Sequence, residues 1–297
     1  MVRESRRLFR HARRPAGGRA RASITIGGLK ALGRRIVPAP LYRLYRKRRI
    51  ALLIAGYENR QVTHTYGGST LTIELADGPS ASYYDRDWGS PVEIEYARER
   101  GLQPGSRVFD LGAHQGVVAL MLADLVGPTG RVVALEADFH NARMAERNRV
   151  LNGAANLEIV HAAAAQTTGT VLFTGGLNGH IEDRGGAWGK SEVAALSLDD
   201  LAARYGSPDV VLIDVEGYED RVLAGAATTI AARRTTFLIE VHVGCGLEVP
   251  PAQIARVFES LYSVDVAPAG GGTGSFEPYQ PGLPMPHDRF FLIATPR

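Results

Sequence analysis

From Arg107 to the end of the chain, short apolar runs alternate with helical segments, and this alternation limits the possible folds more than any other feature. Runs such as RVVALEA and DVVLIDV are separated by helical segments that end at glycines such as Gly127 and Gly153. Strands covered on both faces have this continuous apolar character. Residues 105–297 are therefore predicted to form the main domain, an α/β fold with a doubly wound, mostly parallel sheet of about seven strands. Its last strand, RFFLIA, is expected to return antiparallel as a hairpin partner.

Two further parts precede this domain. Residues 1–54 are predicted to form a basic extension, partly disordered, with a basic amphipathic helix over Leu41–Ile54. Residues 55–104 are predicted to form a small β-rich and helical lead-in. Within the lead-in, apolar and polar residues alternate over Leu71–Leu75 and then reach Asp77–Gly78, which is a hairpin-type turn signal.

Charge is distributed unevenly along the chain. The first 50 residues contain 14 Arg and 2 Lys against one acidic residue, Glu4, whereas the remaining 247 residues contain 18 basic and 30 acidic side chains. Basic segments of this kind contact anionic surfaces such as membranes, nucleic acid or acidic partners. The extension is therefore predicted either to make a peripheral membrane contact or to pack as a basic helix on the acidic body.

Several protein classes are disfavoured by composition. The single cysteine, Cys245, cannot form an intramolecular disulfide or supply a multi-cysteine zinc site. No run reaches the roughly 18 to 20 apolar residues that a membrane span needs, and the first residues lack the apolar run of a secretory signal. We therefore expect a cytoplasmic protein, whether or not it touches a membrane.

Two strand ends carry residues suited to a nucleoside-bearing cofactor. VFDLGAHQG places Asp110 at a strand end, Gly112 in the turn and Gly116 at the start of a helix. A tight glycine turn lets backbone N–H groups approach a ligand, and a nearby carboxylate can hold its amino group or ribose. Glu136 ends the next strand, where a carboxylate can accept hydrogen bonds from both ribose hydroxyls. The spacing GxxxG differs from the GxGxxG of dinucleotide enzymes, so Asp110 suits a cationic amino acid better than a pyrophosphate.

Two later strand ends carry acids and a histidine. DVVLIDVEGYE supplies Asp214, Glu216 and Glu219, and FLIEVH supplies Glu240 and His242 on one face of the following strand. A histidine there can act as a general base or hold an acceptor hydroxyl, although a structural hydrogen-bond donor is the alternative. For Glu219, a charge favoured by the helix dipole is an equal alternative. No feature requires a metal, although the acids could be misread as a magnesium site.

Four motifs resemble, in their order and spacing, those of the FkbM family of methyltransferases over about residues 83–242. They are VFDLGAHQG, ALEAD, LIDVEGYE and LIEVH. The glycine motif is shared by all class I methyltransferases, whereas IDVEGYE followed by IEVH is more specific to the family. The resemblance implies a Rossmann-like class I methyltransferase fold. It also implies methyl transfer from S-adenosylmethionine to a hydroxyl, often on a sugar, a polyketide or another secondary metabolite.

The predicted site residues follow from the motifs and this resemblance. We expect His242 or Asp214 to receive or orient the proton of the acceptor hydroxyl, because both lie at one sheet edge. His114 stands where such motifs often carry Asn, and the stretch from Ala162 to Gln166 lacks the acid that frequently contacts adenine. The predicted cofactor contacts are Asp110, Gly112, His114, Gly116, Glu136, Asp214 and Glu216.

The predicted acceptor is a small molecule or a glycan, and no nucleic-acid partner is expected. DVEGYE replaces the Asn or Asp followed by Pro-Pro-aromatic that methylation of base amino groups requires. The alternatives are an NAD-dependent oxidoreductase, which would share Glu136 but should carry GxGxxG, and a non-catalytic, membrane-associated scaffold that retains the fold. The segment Leu177–Lys190, which includes Trp188, and the segment Gly270–Pro286 are candidate lids over the site.

Overall fold

The computed structural model describes residues 48, 52, 54–174, 180–181, 191–245, 247–268, 276–282, 285 and 289–297. All of them belong to one unit, Arg43–Arg297. The predicted basic extension 1–54 and its amphipathic helix lie almost entirely outside the described residues. Most of the candidate lid Leu177–Lys190, with Trp188, and much of Gly270–Pro286 lie outside them as well.

Helices and strands alternate along the described part of the chain. The helices are α1 (Gly78–Tyr84), α2 (Val92–Glu99), α3 (Val117–Val126), α4 (Phe139–Leu151), α5 (Leu198–Tyr205), α6 (Glu219–Ala224), α7 (Ala227–Ala231) and α8 (Pro251–Arg256). The strands are β1 (Arg60–Tyr66), β2 (Ser69–Leu75), β3 (Arg107–Leu111), β4 (Arg131–Glu136), β5 (Leu157–His161), β6 (Ala163–Ala164), β7 (Gly169–Thr174), β8 (His180–Ile181), β9 (Ser191–Leu196), β10 (Val210–Ile213), β11 (Thr236–Val241), β12 (Tyr262–Pro268), β13 (Glu277–Pro278) and β14 (Phe290–Pro296).

The central sheet has the strand order β13-β12-β14-β11-β10-β3-β4-β5. Strands β11, β10, β3, β4 and β5 pair in parallel, whereas β14 is antiparallel to both of its neighbours. Apart from the two-residue edge strand β13, this is the seven-stranded, mostly parallel sheet expected from the sequence. Strand order reverses between β3 and β10, and ligands bind beside the carboxyl ends of strands at such a switch point.

Both faces of the sheet are covered by apolar side chains. Phe109 and Leu111 of β3 enter one apolar cluster, and Val108 enters a second one. Successive side chains of a strand point to opposite faces, so two clusters of this kind require a sheet that is buried on both sides. This explains why the strand segments are continuously apolar in sequence.

The lead-in differs from the prediction in one detail. Strands β1 and β2 form an antiparallel hairpin, but they are joined at Gly67–Gly68, where both residues have positive φ. The prediction of a hairpin turn at Asp77–Gly78 is wrong. Asp77 is instead the N-cap of α1, and its side chain accepts a hydrogen bond from the backbone N–H of Ser80 at 2.8 Å. Asp followed by Gly-Pro suits a helix start as well as a turn, so the local signal was ambiguous.

The hairpin packs on the main domain. Leu71 and Ile73 of β2 share an apolar cluster with Val117 and Leu120 of α3. Asn148 of α4 accepts a hydrogen bond from the backbone N–H of Glu74 through its side-chain oxygen at 2.8 Å. These contacts place the lead-in against the helix that follows the glycine turn, while the division of the chain near residue 104 stays a prediction.

Two other segments depart from the simplest expectation. The segment TVLFTG forms β7 in a separate four-stranded sheet of order β6-β9-β7-β8 rather than in the central sheet. After β10, the chain forms two short helices, α6 and α7, which are separated at Gly225 and Ala226 rather than joined in one. A side chain at Gly225 would lie 2.6 Å from the carbonyl oxygen of Ala165. None of the helices in the described part of the chain combines the length and apolar character needed to cross a bilayer.

Candidate functional site

A cavity of about 390 Å³ lies at the carboxyl ends of β3, β4 and β10. Six of the eight predicted site residues line it, whereas Gly116 and His242 do not. The six that line the cavity are Asp110, Gly112, His114, Glu136, Asp214 and Glu216. The topology therefore brings together side chains that are more than 100 residues apart in sequence, at the switch point where the fold binds ligands.

The glycine turn is required by close backbone packing. Gly112 has a φ of 101°, and a Cβ there would lie 1.8 Å from the carbonyl oxygen of Asp214. Gly116 caps α3 with a φ of 81°, and its Cβ would lie 3.0 Å from the Cβ of Ala145. Left-handed backbone conformations favour glycine, and here the lack of a side chain also lets the turn approach its neighbours. We call Asp110, Gly112, His114, Gly116 and Glu136 the glycine-loop side of the cavity.

Glu136 is held by the backbone around it. Its carboxylate accepts hydrogen bonds from the backbone N–H groups of His114 and Asp138, each at 2.7 Å. Burial raises the pKa of Glu136 to about 7 in spite of these hydrogen bonds. His114 has a φ of 50°, and its Nδ1 lies 2.6 Å from the hydroxyl of Tyr84. The backbone thus fixes this carboxylate at the cavity wall, and its binding to ribose hydroxyls stays a prediction.

Asp110 is a buried carboxyl with spare hydrogen-bonding capacity. Only 4% of the residue is exposed, and its Oδ2 has no hydrogen-bond partner among the described residues. Burial raises the pKa of Asp110 to about 7. A buried acceptor left unpaired at the wall of a cavity fits a ligand that brings a donor, such as an amino or hydroxyl group.

Four carboxylates and one imidazole lie close together at the ends of β10 and β11 and at the start of α6. We call Asp214, Glu216, Glu219, Glu240 and His242 the histidine cluster. The Nδ1 of His242 lies 2.9 Å from Oε1 of Glu219, which is fully buried. The Nε2 of His242 lies 3.7 Å from a carboxylate oxygen of each of the other three acids. Glu219 therefore orients the imidazole, and the functional and helix-start interpretations of this residue are compatible.

The acids control the charge of His242. Burial lowers the pKa of this imidazole, but the hydrogen bond to Glu219 and the nearby carboxylates raise it more, to about 9. Burial also raises the pKa of Asp214 and of Glu240, and the charges of neighbouring acids add to this effect. His242 would be protonated at neutral pH and would have to lose that proton before acting as a base. Its catalytic role stays a prediction.

Some wall residues were not found from the sequence. The lead-in contributes Tyr83, Tyr84 and Trp88, and Arg289 comes from the start of the last strand. The Nε of Arg289 lies 2.8 Å from Oε1 of Glu240. The cluster of aromatic residues in α1 was the only signal in the sequence, and aromatic residues are equally common in cores. The stretch Ala162–Ala164 also lines the cavity, with small apolar side chains.

Residues 110–249 match the family model described as the methyltransferase FkbM domain. Similar solved structures include the FkbM methyltransferase from Methylobacillus flagellatus KT, with 16% identity over 67% of this chain and 50% of that chain and a TM-score of 0.43. An S-adenosylmethionine-dependent O-methyltransferase from Thermotoga maritima shows 13% identity over 80% of this chain and 78% of that chain, with a TM-score of 0.42.

Fibrillarin from Aeropyrum pernix, solved with natively bound S-adenosylmethionine, shows 15% identity over 82% of this chain and 86% of that chain, with a TM-score of 0.40. The region of similarity to the Methylobacillus flagellatus methyltransferase covers half of the length of that protein. A comparison with curated proteins finds no match.

Proposed function

This chain carries an FkbM methyltransferase domain at residues 110–249 in a class I methyltransferase fold, and from that premise we propose that it methylates a hydroxyl group of a small-molecule or glycan acceptor. The observation that carries this proposal is the shared cavity. Asp110 and Glu136 on the glycine-loop side and Asp214 in the histidine cluster all line it. One cavity can therefore hold a nucleoside cofactor and an acceptor side by side.

The residues on the glycine-loop side fit the cofactor S-adenosylmethionine. The unpaired Oδ2 of Asp110 can accept a hydrogen bond from the cationic amino group or the ribose, and Glu136 can accept from ribose hydroxyls. Ala162–Ala164 and Phe173 offer apolar surface to the base. When bound, S-adenosylmethionine supplies an electrophilic methyl group on a sulfonium centre.

The histidine cluster is suited to a hydroxyl acceptor. Methyl transfer forms a bond from the acceptor oxygen to the methyl carbon while the bond from that carbon to sulfur breaks, and the hydroxyl proton must leave. Asp214 lines the cavity, and its raised pKa makes it a stronger base than an ordinary aspartate. In our proposal Asp214 accepts the proton, and His242 orients Asp214 and the other acids.

The first test is calorimetric titration of the full chain with S-adenosylmethionine, S-adenosylhomocysteine and NAD. We expect the first two to bind and Asp110→Asn to weaken both by about tenfold or more, because a hydrogen bond to a charged group contributes about 1.5 to 3 kcal/mol. Glu146→Gln, which alters an exposed acid on α4, is the matched control and should bind normally. Binding of NAD alone would overturn the proposal in favour of an oxidoreductase.

The second test concerns the acceptor and the base. Transfer of an isotope-labelled methyl group is measured with a panel of sugars and hydroxylated aromatic compounds, each paired with the analogue that lacks the hydroxyl. We expect labelling only of the hydroxylated member, and a rate lowered by about 10²- to 10⁴-fold in Asp214→Asn. Unchanged turnover in both Asp214→Ala and His242→Ala would contradict the assignment of the base.

A further inference from the structure

The histidine cluster brings nitrogen and oxygen donors to one point. Donor atoms of Asp214, Glu240 and His242 all lie within 4.8 Å of one another. Ligand atoms bound about 2.0 to 2.3 Å from one ion lie up to about 4.5 Å apart, so small rotations of these side chains suffice to coordinate a common ion. Asp214 follows β10, and Glu240 and His242 lie at the end of β11, the adjacent parallel strand, which keeps their relative positions constant.

His242 supplies an independent indication of a ligand. Its side chain is 6% exposed, and its Nε2 makes no hydrogen bond to any described residue, although three carboxylates surround that atom. The other ring nitrogen is held by the buried carboxylate of Glu219. Histidines that bind metal ions usually give their second nitrogen to a carboxylate, which fixes the ring for coordination.

The charge balance also favours a cation. Four carboxylates surround the imidazole, and Arg289 is the cation that approaches them from the described part of the last strand. Arg289 contacts Oε1 of Glu240, the oxygen that also faces Nε2 of His242. Glu216 has a φ of 52°, a strained conformation for a residue with a side chain, and such strain is frequent at ligand sites.

We propose that Asp214, Glu240 and His242 bind one divalent first-row transition-metal ion in exchange for the Nε2 proton of His242, which is released to solvent. Glu216 lies beside the ion, and Glu219 holds the histidine. Imidazole together with carboxylates suits ions such as Mn²⁺ or Zn²⁺, whereas Mg²⁺ prefers oxygen ligands alone. No sequence motif requires such an ion. If the proposed function holds, the ion would bind the acceptor hydroxyl beside Asp214 and lower the pKa of that hydroxyl; the binding of the ion does not rest on that function.

The test is titration of Mn²⁺ into the full chain without cofactor, followed by the loss of the electron paramagnetic resonance signal of free Mn²⁺. We expect one ion to bind per chain. Asp214→Asn and His242→Ala should each weaken binding by at least about tenfold, and Glu219→Gln should weaken it by about 10- to 100-fold through the orientation of His242. Glu146→Gln should bind as the unaltered chain does.

The variants are chosen so that a folding defect is recognised. About half of the Asp214 side chain faces the open cavity, although protein surrounds the carboxylate, so Asp214→Asn should keep the thermal unfolding midpoint of the unaltered chain even if His242→Ala lowers it. Absence of Mn²⁺ and Zn²⁺ binding in the unaltered chain, or equal binding by Asp214→Asn, would overturn the proposal. Binding of S-adenosylmethionine is measured on the same samples, so failure of the metal site is distinguished from failure of the proposed function.

Discussion

The two sides of the cavity occupy ends of neighbouring strands but are held in different ways. On the glycine-loop side, backbone N–H groups hold Glu136, and close packing fixes Gly112 and Gly116. In the histidine cluster, one side-chain hydrogen bond joins His242 to Glu219, and the other three carboxylates lie 3.7 Å from Nε2 of His242. The geometry of the glycine-loop side should therefore depend on the shape of the backbone, and the geometry of the histidine cluster should depend on the charges of its side chains.

The two sides meet at Gly112, and a side chain there gives the largest expected effect. In Gly112→Ala the Cβ would lie 1.8 Å from the carbonyl oxygen of Asp214, so one of the two backbones must move. A left-handed alanine costs about 1 to 2 kcal/mol and overpacking about 1 to 3 more, so we expect a loss of about 2 to 5 kcal/mol in the free energy of unfolding, measured by urea denaturation.

Gly101→Ala is the control for Gly112→Ala. Gly101 also has a positive φ, of 119°, but a Cβ there has no atom within 4 Å. Gly101→Ala should lower the free energy of unfolding only by the cost of a left-handed alanine, about 1 to 2 kcal/mol. Equal losses in the two variants would show that close packing against Asp214 does not hold the two sides together.

Asp77 is a buried acid next to the glycine-loop side. Its carboxylate accepts several hydrogen bonds, in contrast to the three carboxylates that lie around Nε2 of His242. Asp77 is completely buried, and it accepts hydrogen bonds from Ser80, Gln115 and His140. Burial raises its pKa, but these hydrogen bonds lower it more, to about 2. Because the folded-state pKa lies below the unfolded value of about 3.9, the stabilisation is complete above about pH 5 and is lost as the pH falls towards 2.

Asp77→Asn should therefore remove a pH-dependent contribution. We expect the difference in the free energy of unfolding between the unaltered chain and the variant to shrink by about 1 kcal/mol between pH 6 and pH 3, and by about 2 to 3 kcal/mol in total by pH 2. The measurement is urea denaturation at each pH. Asp87→Asn, at a side chain that is 76% exposed, is the control; equal pH slopes in the two variants would rule out the role of Asp77.

The sequence predicted those parts of the fold that depend on local pattern. Asp110 and Glu136 follow apolar runs directly, and buried parallel strands require such runs, so their positions at one sheet edge could be derived. Asp77 shows the limit of local patterns. The same residues suit a hairpin turn or a helix N-cap, and the packing of β2 on α3 decides between the two.

Contacts between distant segments could not be predicted. Glu219 and His242 are 23 residues apart, and their hydrogen bond depends on how α6 starts relative to the end of β11. Tyr84 reaches His114 from the lead-in, 30 residues earlier. No periodicity specifies either pair, because each results from the way whole elements pack. The strand-end acids and His242 were thus predicted, whereas the contacts that orient them were not.

Tyr84 offers the smallest and most selective test of the glycine-loop side. Tyr84→Phe removes the hydroxyl that lies 2.6 Å from Nδ1 of His114 and leaves the buried ring in place. A hydrogen bond of this kind contributes about 1 kcal/mol, so we expect S-adenosylmethionine binding to weaken about fivefold in calorimetry while Mn²⁺ binding to the histidine cluster is unchanged. Tyr205→Phe, which removes a hydroxyl that donates to Glu158 at 2.8 Å outside the cavity wall, is the matched control and should alter neither. If Tyr84→Phe weakened Mn²⁺ binding as much as cofactor binding, the two sides of the cavity would act as one unit, and the separation of shape from charge would not hold.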